Sequence, residues 1–266
     1  MQISTIISTA NQHVKAAIGL KQKKERQESG LFLIEGKKML AEAACAGLQV
    51  KSIFVEEKKY QEDRIFYEGI NPQELFLTTE SVIARISDWK TPQGCVGVVE
   101  MQRHPLEEYL TKEQLFAVVL DGVADPGNIG TIVRTAEACG VDVVIAAKGT
   151  ADCFQPKALR ASMGSVFRVG IVEDLEALEI ARLLKESGVK LIVTSLQGET
   201  ANCIKAGSRF ALVFGSEGAG VSDTFLQNGD ILLRMPMAGK VESLNVAVSA
   251  GILMYKMFEA AERGQS

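Results

Sequence analysis

The chain has 266 residues, 47% of them hydrophobic and 23% charged, with a formal net charge of −4. That is enough apolar material for one large core or two modest ones, and it excludes wholesale disorder. No apolar run reaches the ~18–20 residues of a membrane span, and the N-terminus lacks the basic and apolar regions of a secretory signal, so a cytoplasmic protein is expected. The acidity is uneven: up to His104 there are 14 Lys and Arg against 13 Asp and Glu, so the excess lies downstream. Along the chain, the first cluster of note is Lys21, Lys23, Lys24 and Arg26, with Lys15 before it. This is either a solvated, charged helix end or a phosphate-contacting patch. Short strands are predicted at 31–34, 52–55, 74–77 and 95–99, with a helix over 36–46 whose Met39, Leu40, Ala43 and Ala44 share one side. Gln102 to Tyr109, containing Pro105 and an acidic pair, interrupts the patterning. It divides the chain into a domain at 1–104, a linker at 105–114 and a second domain at 115–266.

The second domain alternates more regularly. Strands are predicted at 115–121, 142–147, 166–172, 190–195, 210–214 and 231–235. Helices are predicted at 128–139, 155–162, 174–187, 222–228 and 243–263. Such alternation implies a parallel sheet covered on both faces, with ligands at the carboxyl ends of its strands. The five cysteines (45, 95, 139, 153 and 203) are widely spaced, and His13 and His104 are the only histidines. Neither a zinc site nor a disulfide framework is indicated, and buried free thiols are expected.

Three strand-to-helix turns carry the functional signal. The first runs Asp121-Gly122-Val123-Ala124-Asp125-Pro126-Gly127-Asn128-Ile129-Gly130 and continues to Arg134-Thr135-Ala136. Asn128 suits a helix cap. Arg134, among apolar neighbours, can fork onto a phosphate or carboxylate, or pair with Glu137 one turn on. The second turn is Phe214-Gly215-Ser216-Glu217-Gly218-Ala219-Gly220, where Glu217 is the one charge and either pairs with a functional group or anchors loop amides. The third is Met235-Pro236-Met237-Ala238-Gly239-Lys240-Val241-Glu242-Ser243-Leu244-Asn245-Val246. Ser243 is a natural cap for the final helix, and Asn245 is polar in apolar company. No dinucleotide-binding or P-loop glycine pattern occurs.

In this order and spacing, the three turns resemble the motifs of the SpoU (TrmH) family of RNA 2′-O-ribose methyltransferases, from about residue 115 onward. The N-terminal part resembles the small α/β substrate-binding domain, like ribosomal protein L30e, that many members carry. Phe32-Leu33-Ile34-Glu35-Gly36 and Thr91-Pro92-Gln93-Gly94 are its matching pieces.

The resemblance implies a parallel-sheet α/β knot, a trefoil-knotted fold of the SPOUT type, preceded by the L30e-like domain. It also implies S-adenosylmethionine as cofactor, no metal, and a homodimer with its active sites near the interface. Carried over residue by residue, Gly215, Met235 and Leu244 hold the adenosine part of the cofactor, and Thr194 and Ser195 line the same cleft. Asn128, Arg134, Glu217, Ser243 and Asn245 are the catalytic positions. Ribosomal RNA is the expected substrate, with transfer RNA as the alternative. A fold-retaining but inactive RNA-binding protein is a further reading, against which the intact motif residues speak. A nicotinamide enzyme is disfavoured by the absent glycine pattern.

Overall fold

The computed structural model describes residues 1–200 and 208–264, the last four by backbone alone. Met1–Gln102 with Phe154–Leu159 form one compact unit, and Arg103–Cys153 with the described residues from Arg160 onward form a second.

The first unit is built on strands β1 (Gln2–Ile6), β2 (Leu31–Glu35), β3 (Val50–Glu56), β4 (Glu74–Thr78) and β5 (Cys95–Glu100). Their order is β1-β4-β3-β5-β2. β1, β4 and β3 run parallel, and β5 runs antiparallel to both β3 and β2. The four expected strands are present. β1 was not expected, because Gln-Ile-Ser-Thr-Ile is an edge strand with little buried surface. Helices α1 (Gln12–Gly19), α2 (Lys23–Ser29), α3 (Lys37–Cys45), α4 (Glu57–Glu62), α5 (Arg64–Gly69) and α6 (Glu80–Ile86) cover the sheet. Val14, Ala17, Val82, Ile83 and Ile86 from α1 and α6 pack with Phe54, Phe76 and Val96 of the strands. On the other side Gly97 lets α3 close in, since a Cβ there would lie 2.7 Å from a methyl of Leu40.

The second unit begins with α7 (Leu106–Leu110), inside the stretch expected as a linker. Leu106 is buried in the core of this unit, and a Cβ at Gly170 would meet the Tyr109 hydroxyl at 2.1 Å, so α7 is packed structure. There follow β6 (Leu115–Asp121), α8 (Pro126–Ala138), β7 (Val143–Ala147), α9 (Pro156–Ser162), whose residues up to Leu159 belong to the first unit, β8 (Gly170–Leu175) and α10 (Ala177–Glu186). The unit closes with β9 (Lys190–Thr200), β10 (Arg209–Gly215), α11 (Asp223–Asn228), β11 (Ile231–Arg234) and α12 (Val246–Gly264). The strand expected at 166–172 opens as a 3-10 turn at Ser165–Phe167, and pairing starts only at Gly170.

The six strands form one parallel sheet in the order β11-β9-β10-β6-β7-β8. Successive side chains of a strand face opposite ways. Leu115, Ala117 and Val119 of β6 accordingly pack with Ile180, Leu184 and Phe225 of α10 and α11. The alternate set lies on the face of α8 and α12, which pack on one another with Gly251 against Thr135. Each fully buried Val or Leu in these layers stabilises by about 1.5–3 kcal/mol. Cys95, Cys139 and Cys153 are buried free thiols, but Cys45 is exposed at the end of α3. Cys203 lies outside the described residues.

Candidate active site

The site collects at the carboxyl edge of the parallel sheet, where β6, β10 and β11 run out into the three motif loops. At the first loop the helix cap is Asp125, whose Oδ1 accepts the Gly127 N–H at 2.7 Å, with Pro126 starting α8. Asp before Pro is itself a helix-start signal. Asn128 therefore sits inside the first turn of α8, and its side chain is not used for capping. The second loop folds back on itself. Ser216 and Gly220 exchange backbone hydrogen bonds at 3.1 and 3.0 Å, and Gly220 takes φ +71°, a left-handed conformation that suits glycine. A Cβ at Gly215 would lie 2.1 Å from the Gly220 carbonyl group, so this close approach requires glycine. The Ser222 N–H donates to Asp121 Oδ2 at 2.7 Å and ties the second loop to the end of β6.

The third loop corrects the expected start of the last helix. α12 begins at Val246, and its cap is Asn245, not Ser243. Asn245 Oδ1 accepts the Ala247 and Val248 N–H groups at 2.9 and 3.3 Å. Asn245 Nδ2 then donates to Asn128 Oδ1 at 3.2 Å, and Asn128 Nδ2 donates to Glu217 Oε1. The partners at the two ends fix both amide orientations, because a backbone N–H only donates and a carboxylate only accepts. One polar chain thus joins all three motifs, Glu217 to Asn128 to Asn245 to the start of α12. Ser243 is exposed and makes no hydrogen bond among the described residues.

Arg134 is exposed on α8, and among the described residues no hydrogen bond or ion pair holds it. Its alternative partner Glu137 is engaged elsewhere, by Nε and a terminal nitrogen of Arg168. The Arg168 hydrogen bond holds the Glu137 carboxyl below its usual range. Arg134 thus presents a guanidinium fork, unpaired among the described residues, less than two turns along α8 from Asn128.

β9 opens the neighbouring cleft. It pairs with β10 and β11 as far as Val193, and then the register with β11 jumps from Val193 to Glu199. Residues 194–198 leave the ladder, a bulge of the kind that re-aims backbone beside active sites. Gly198 allows it, since a Cβ there would lie 2.2 Å from the Leu232 carbonyl oxygen. Thr194 Oγ1 donates to Val213 O at 2.9 Å, and Ser195 Oγ accepts the Gln197 N–H at 3.2 Å. Thr194, Gly215 and Met235 therefore stand at the ends of the adjacent strands β9, β10 and β11. Among the described residues, no backbone N–H from Met237 to Leu244 is hydrogen-bonded. Open backbone donors and acceptors beside the apolar Met235, Met237 and Leu244 fit a nucleoside, whose base offers flat faces and polar edges.

The basic cluster of the first unit is split. Arg26 is only 3% exposed, and its guanidinium donates to Leu20 O at 2.7 Å, which removes it from any surface patch. Lys21 is half-buried and donates to Ser87 O at 2.8 Å. Lys23 is half-buried, and Lys24 is at the surface, where it loosely pairs with Glu28 at 3.8 Å.

Comparison with known proteins gives the family. The model of the SpoU rRNA Methylase family matches residues 115–255, and that of the MRM3-like substrate binding domain matches residues 11–97. The chain belongs to the SpoU family and is an S-adenosylmethionine-dependent RNA 2′-O-methyltransferase. It is 38% identical to the 23S rRNA (guanosine(2553)-2′-O)-methyltransferase RlmP of Bacillus subtilis, over 95% of this chain and 98% of that one. Among solved structures, an AdoMet-bound rRNA methyltransferase from Sinorhizobium meliloti superposes with a TM-score of 0.86 at 30% identity, covering 98% and 99% of the two chains. An RNA 2′-O ribose methyltransferase superposes at 0.79 with 29% identity, covering 96% and 98%.

Proposed function

We propose that this enzyme methylates the ribose 2′-hydroxyl of one nucleotide in large-subunit ribosomal RNA, acting in the cytoplasm as a homodimer. The substrate is that of the Bacillus subtilis relative, which is similar along nearly the whole of both chains. The observation that carries the mechanism is the polar chain Glu217–Asn128–Asn245, with Arg134 on the same helix as Asn128 and unpaired among the described residues.

S-adenosylmethionine, held by the backbone at Gly215, Met235 and Leu244 and by the bulge at Thr194 and Ser195, supplies an electrophilic methyl group. The protein's own residues then position the ribose hydroxyl and manage its charge. Glu217 and Asn245 hold the Asn128 amide in one orientation, which leaves it one N–H and one lone pair with which to orient the hydroxyl. A guanidinium keeps its proton at neutral pH, so Arg134 is not the proton acceptor. It clamps the adjacent phosphate and stabilises charge developing on the ribose oxygen, and the proton leaves to that phosphate or to water. The exposed Ser243 hydroxyl, with no hydrogen bond among the described residues, is available to hold the ribose or the cofactor. Lys23 and Lys24 add phosphate contacts from the first unit.

The dimer reading rests on α12. Val248, Ile252 and Tyr255 are 50%, 39% and 54% exposed and fall on one stripe of α12, opposite the buried Val246, Ala250, Leu253 and Met257. An uncovered apolar stripe of this kind suits a two-fold contact between like surfaces, with α8 at its rim. Light scattering reads it: Ile252→Arg is expected to give monomers where the unaltered protein gives dimers. The substrate is tested by mapping 2′-O-methyl groups in cellular RNA with and without the gene. One lost position in 23S rRNA is expected, and a loss confined to tRNA refutes the assignment.

A further inference from the structure

The first unit holds a feature that the methyl-transfer site does not use. The chain's single tryptophan, Trp89, lies in the loop Ser87-Asp88-Trp89-Lys90-Thr91-Pro92-Gln93-Gly94 between α6 and β5, and it is 38% exposed. A polar Pro- and Gly-containing loop is an unusual place for so large an apolar ring. The loop is nevertheless firmly tethered. Both oxygens of the Glu35 carboxylate accept the Ser87 hydroxyl at 2.7 Å, and one of them also accepts the Gln93 N–H at 3.1 Å. Ser87 Oγ accepts the Trp89 N–H at 3.0 Å, and Lys21 Nζ closes the arrangement on the Ser87 carbonyl. Ser87 is itself buried. One carboxylate therefore grips the loop on both sides of Trp89, and charged hydrogen bonds of this kind are the strong ones.

The loop's position has its own meaning. The Gly36 N–H donates to Cys95 O at 3.0 Å and the Glu56 N–H to Gly94 O at 2.9 Å, so the loop leaves at the carboxyl ends of β2 and β3. That edge of an α/β sheet is where ligands bind. Exposed Lys90 follows the ring, and the Lys59 side chain lies beside Gly94, against the acids Asp88 and Glu56. An exposed aromatic ring followed in the chain by an exposed lysine suits the face of a nucleobase and its phosphate. Bases within a duplex are already stacked on both faces and have none to offer.

We propose that Trp89 is a stacking platform for an unpaired base of the substrate RNA, held ready by the Glu35–Ser87–Gln93–Lys21 hydrogen bonds. The substrate class is then RNA with a single-stranded segment, not a continuous duplex, and Lys21 serves as a loop clamp instead of a phosphate contact. The proposal rests on RNA being the substrate of the enzyme.

Because Trp89 is the only tryptophan, its fluorescence reports this ring alone. The full-length protein is titrated with a single-stranded oligoadenylate of about twelve nucleotides, within the site sizes of such proteins, and with a blunt RNA duplex of the same length. Saturable quenching by the single strand and none by the duplex is expected. Trp89→Ala is expected to weaken oligoadenylate binding by about five- to hundredfold, and Trp89→Phe to keep most of it. With ribosomal RNA from cells lacking the enzyme, Trp89→Ala raises KM at unchanged kcat and leaves S-adenosylmethionine affinity alone. No quenching, equal quenching by the duplex, or an unaltered Trp89→Ala affinity overturns the platform, as does quenching seen only with added ribosomal protein. If wild-type protein methylates RNA while Trp89→Ala does so at the same KM, the platform falls and the activity stands. If wild-type protein methylates no RNA, the activity itself falls.

Discussion

Asn245 has two separable roles, and Asn245→Asp divides them. Its Oδ1 caps α12 through two backbone N–H groups, and its Nδ2 orients Asn128. Alanine at 245 removes both. Loss of the cap costs about 1 kcal/mol, or roughly 2–4 °C in Tm for a domain of this size. Aspartate keeps the acceptor, and its charge at the helix N-terminus adds roughly 0.3–1 kcal/mol, so its Tm should match or exceed that of the wild type. It also replaces the Nδ2 donor with an oxygen facing Asn128 Oδ1. Flipping the Asn128 amide does not help, because its carbonyl then meets the Glu217 carboxylate. The relay is left with acceptors at both ends and one amide between them. A displacement of the ribose hydroxyl by an ångström can cost about 10²-fold, so the single-turnover methyl-transfer rate should fall by about that factor. Thermal unfolding and labelled-methyl incorporation on the same three proteins check both halves. An aspartate variant that transfers methyl at the wild-type rate refutes the relay, and one that melts below the alanine variant refutes the cap.

Other outcomes follow from the same geometry. Arg134→Ala should lower the methylation rate by roughly 10²–10³ through a lost transition-state contact, with Tm and S-adenosylmethionine affinity unchanged; near-normal turnover would discard the clamp. Gly215→Ala forces a Cβ to within 2.1 Å of Gly220 and should weaken S-adenosylmethionine binding in isothermal titration, since the second loop must open. Burial raises the Tyr67 hydroxyl pKa well above its ordinary value near 10. The folded state keeps that proton after the unfolded state has lost it, so stability is intact below about pH 10 and declines as pH rises further. Tyr67→Phe should move the alkaline unfolding midpoint upward, read by circular dichroism; an unmoved midpoint would mean another group controls it.

The parallel sheet was legible because β6, β7 and β10 are unbroken apolar runs, and the motif loops were legible because glycines and prolines punctuate them. What the loops do to one another was not. Asn128, Glu217 and Asn245 each had an adequate local explanation as a cap, a loop anchor or a satisfied core polar group. Only Asn245 turned out to cap, and the bonds joining the three span 89 and 117 residues of sequence. Ser243 looked like the helix cap because serine caps well, yet the cap is Asn245, two residues further on. Arg26 read as a surface charge because its neighbours are charged, but α2 turns it inward onto Leu20 O. Lys21 finds its partner in Ser87, 66 residues away, a distance over which sequence patterning carries no signal. The bulge at 194–198 was invisible as well, since Thr-Ser-Leu-Gln-Gly continues the strand pattern of β9.

The same long spans bear on when the enzyme becomes active during its synthesis. Two of the three relay residues, Asn128 and Glu217, come well before Asn245, which caps α12, the last element of the chain. Domains form as the chain emerges N-terminus first, and contacts between distant segments form late. The sheet and the first two loops can therefore assemble before Asn245 is present to orient Asn128. A nascent or C-terminally clipped chain is then a folded sheet with a misaligned amide rather than a slower enzyme.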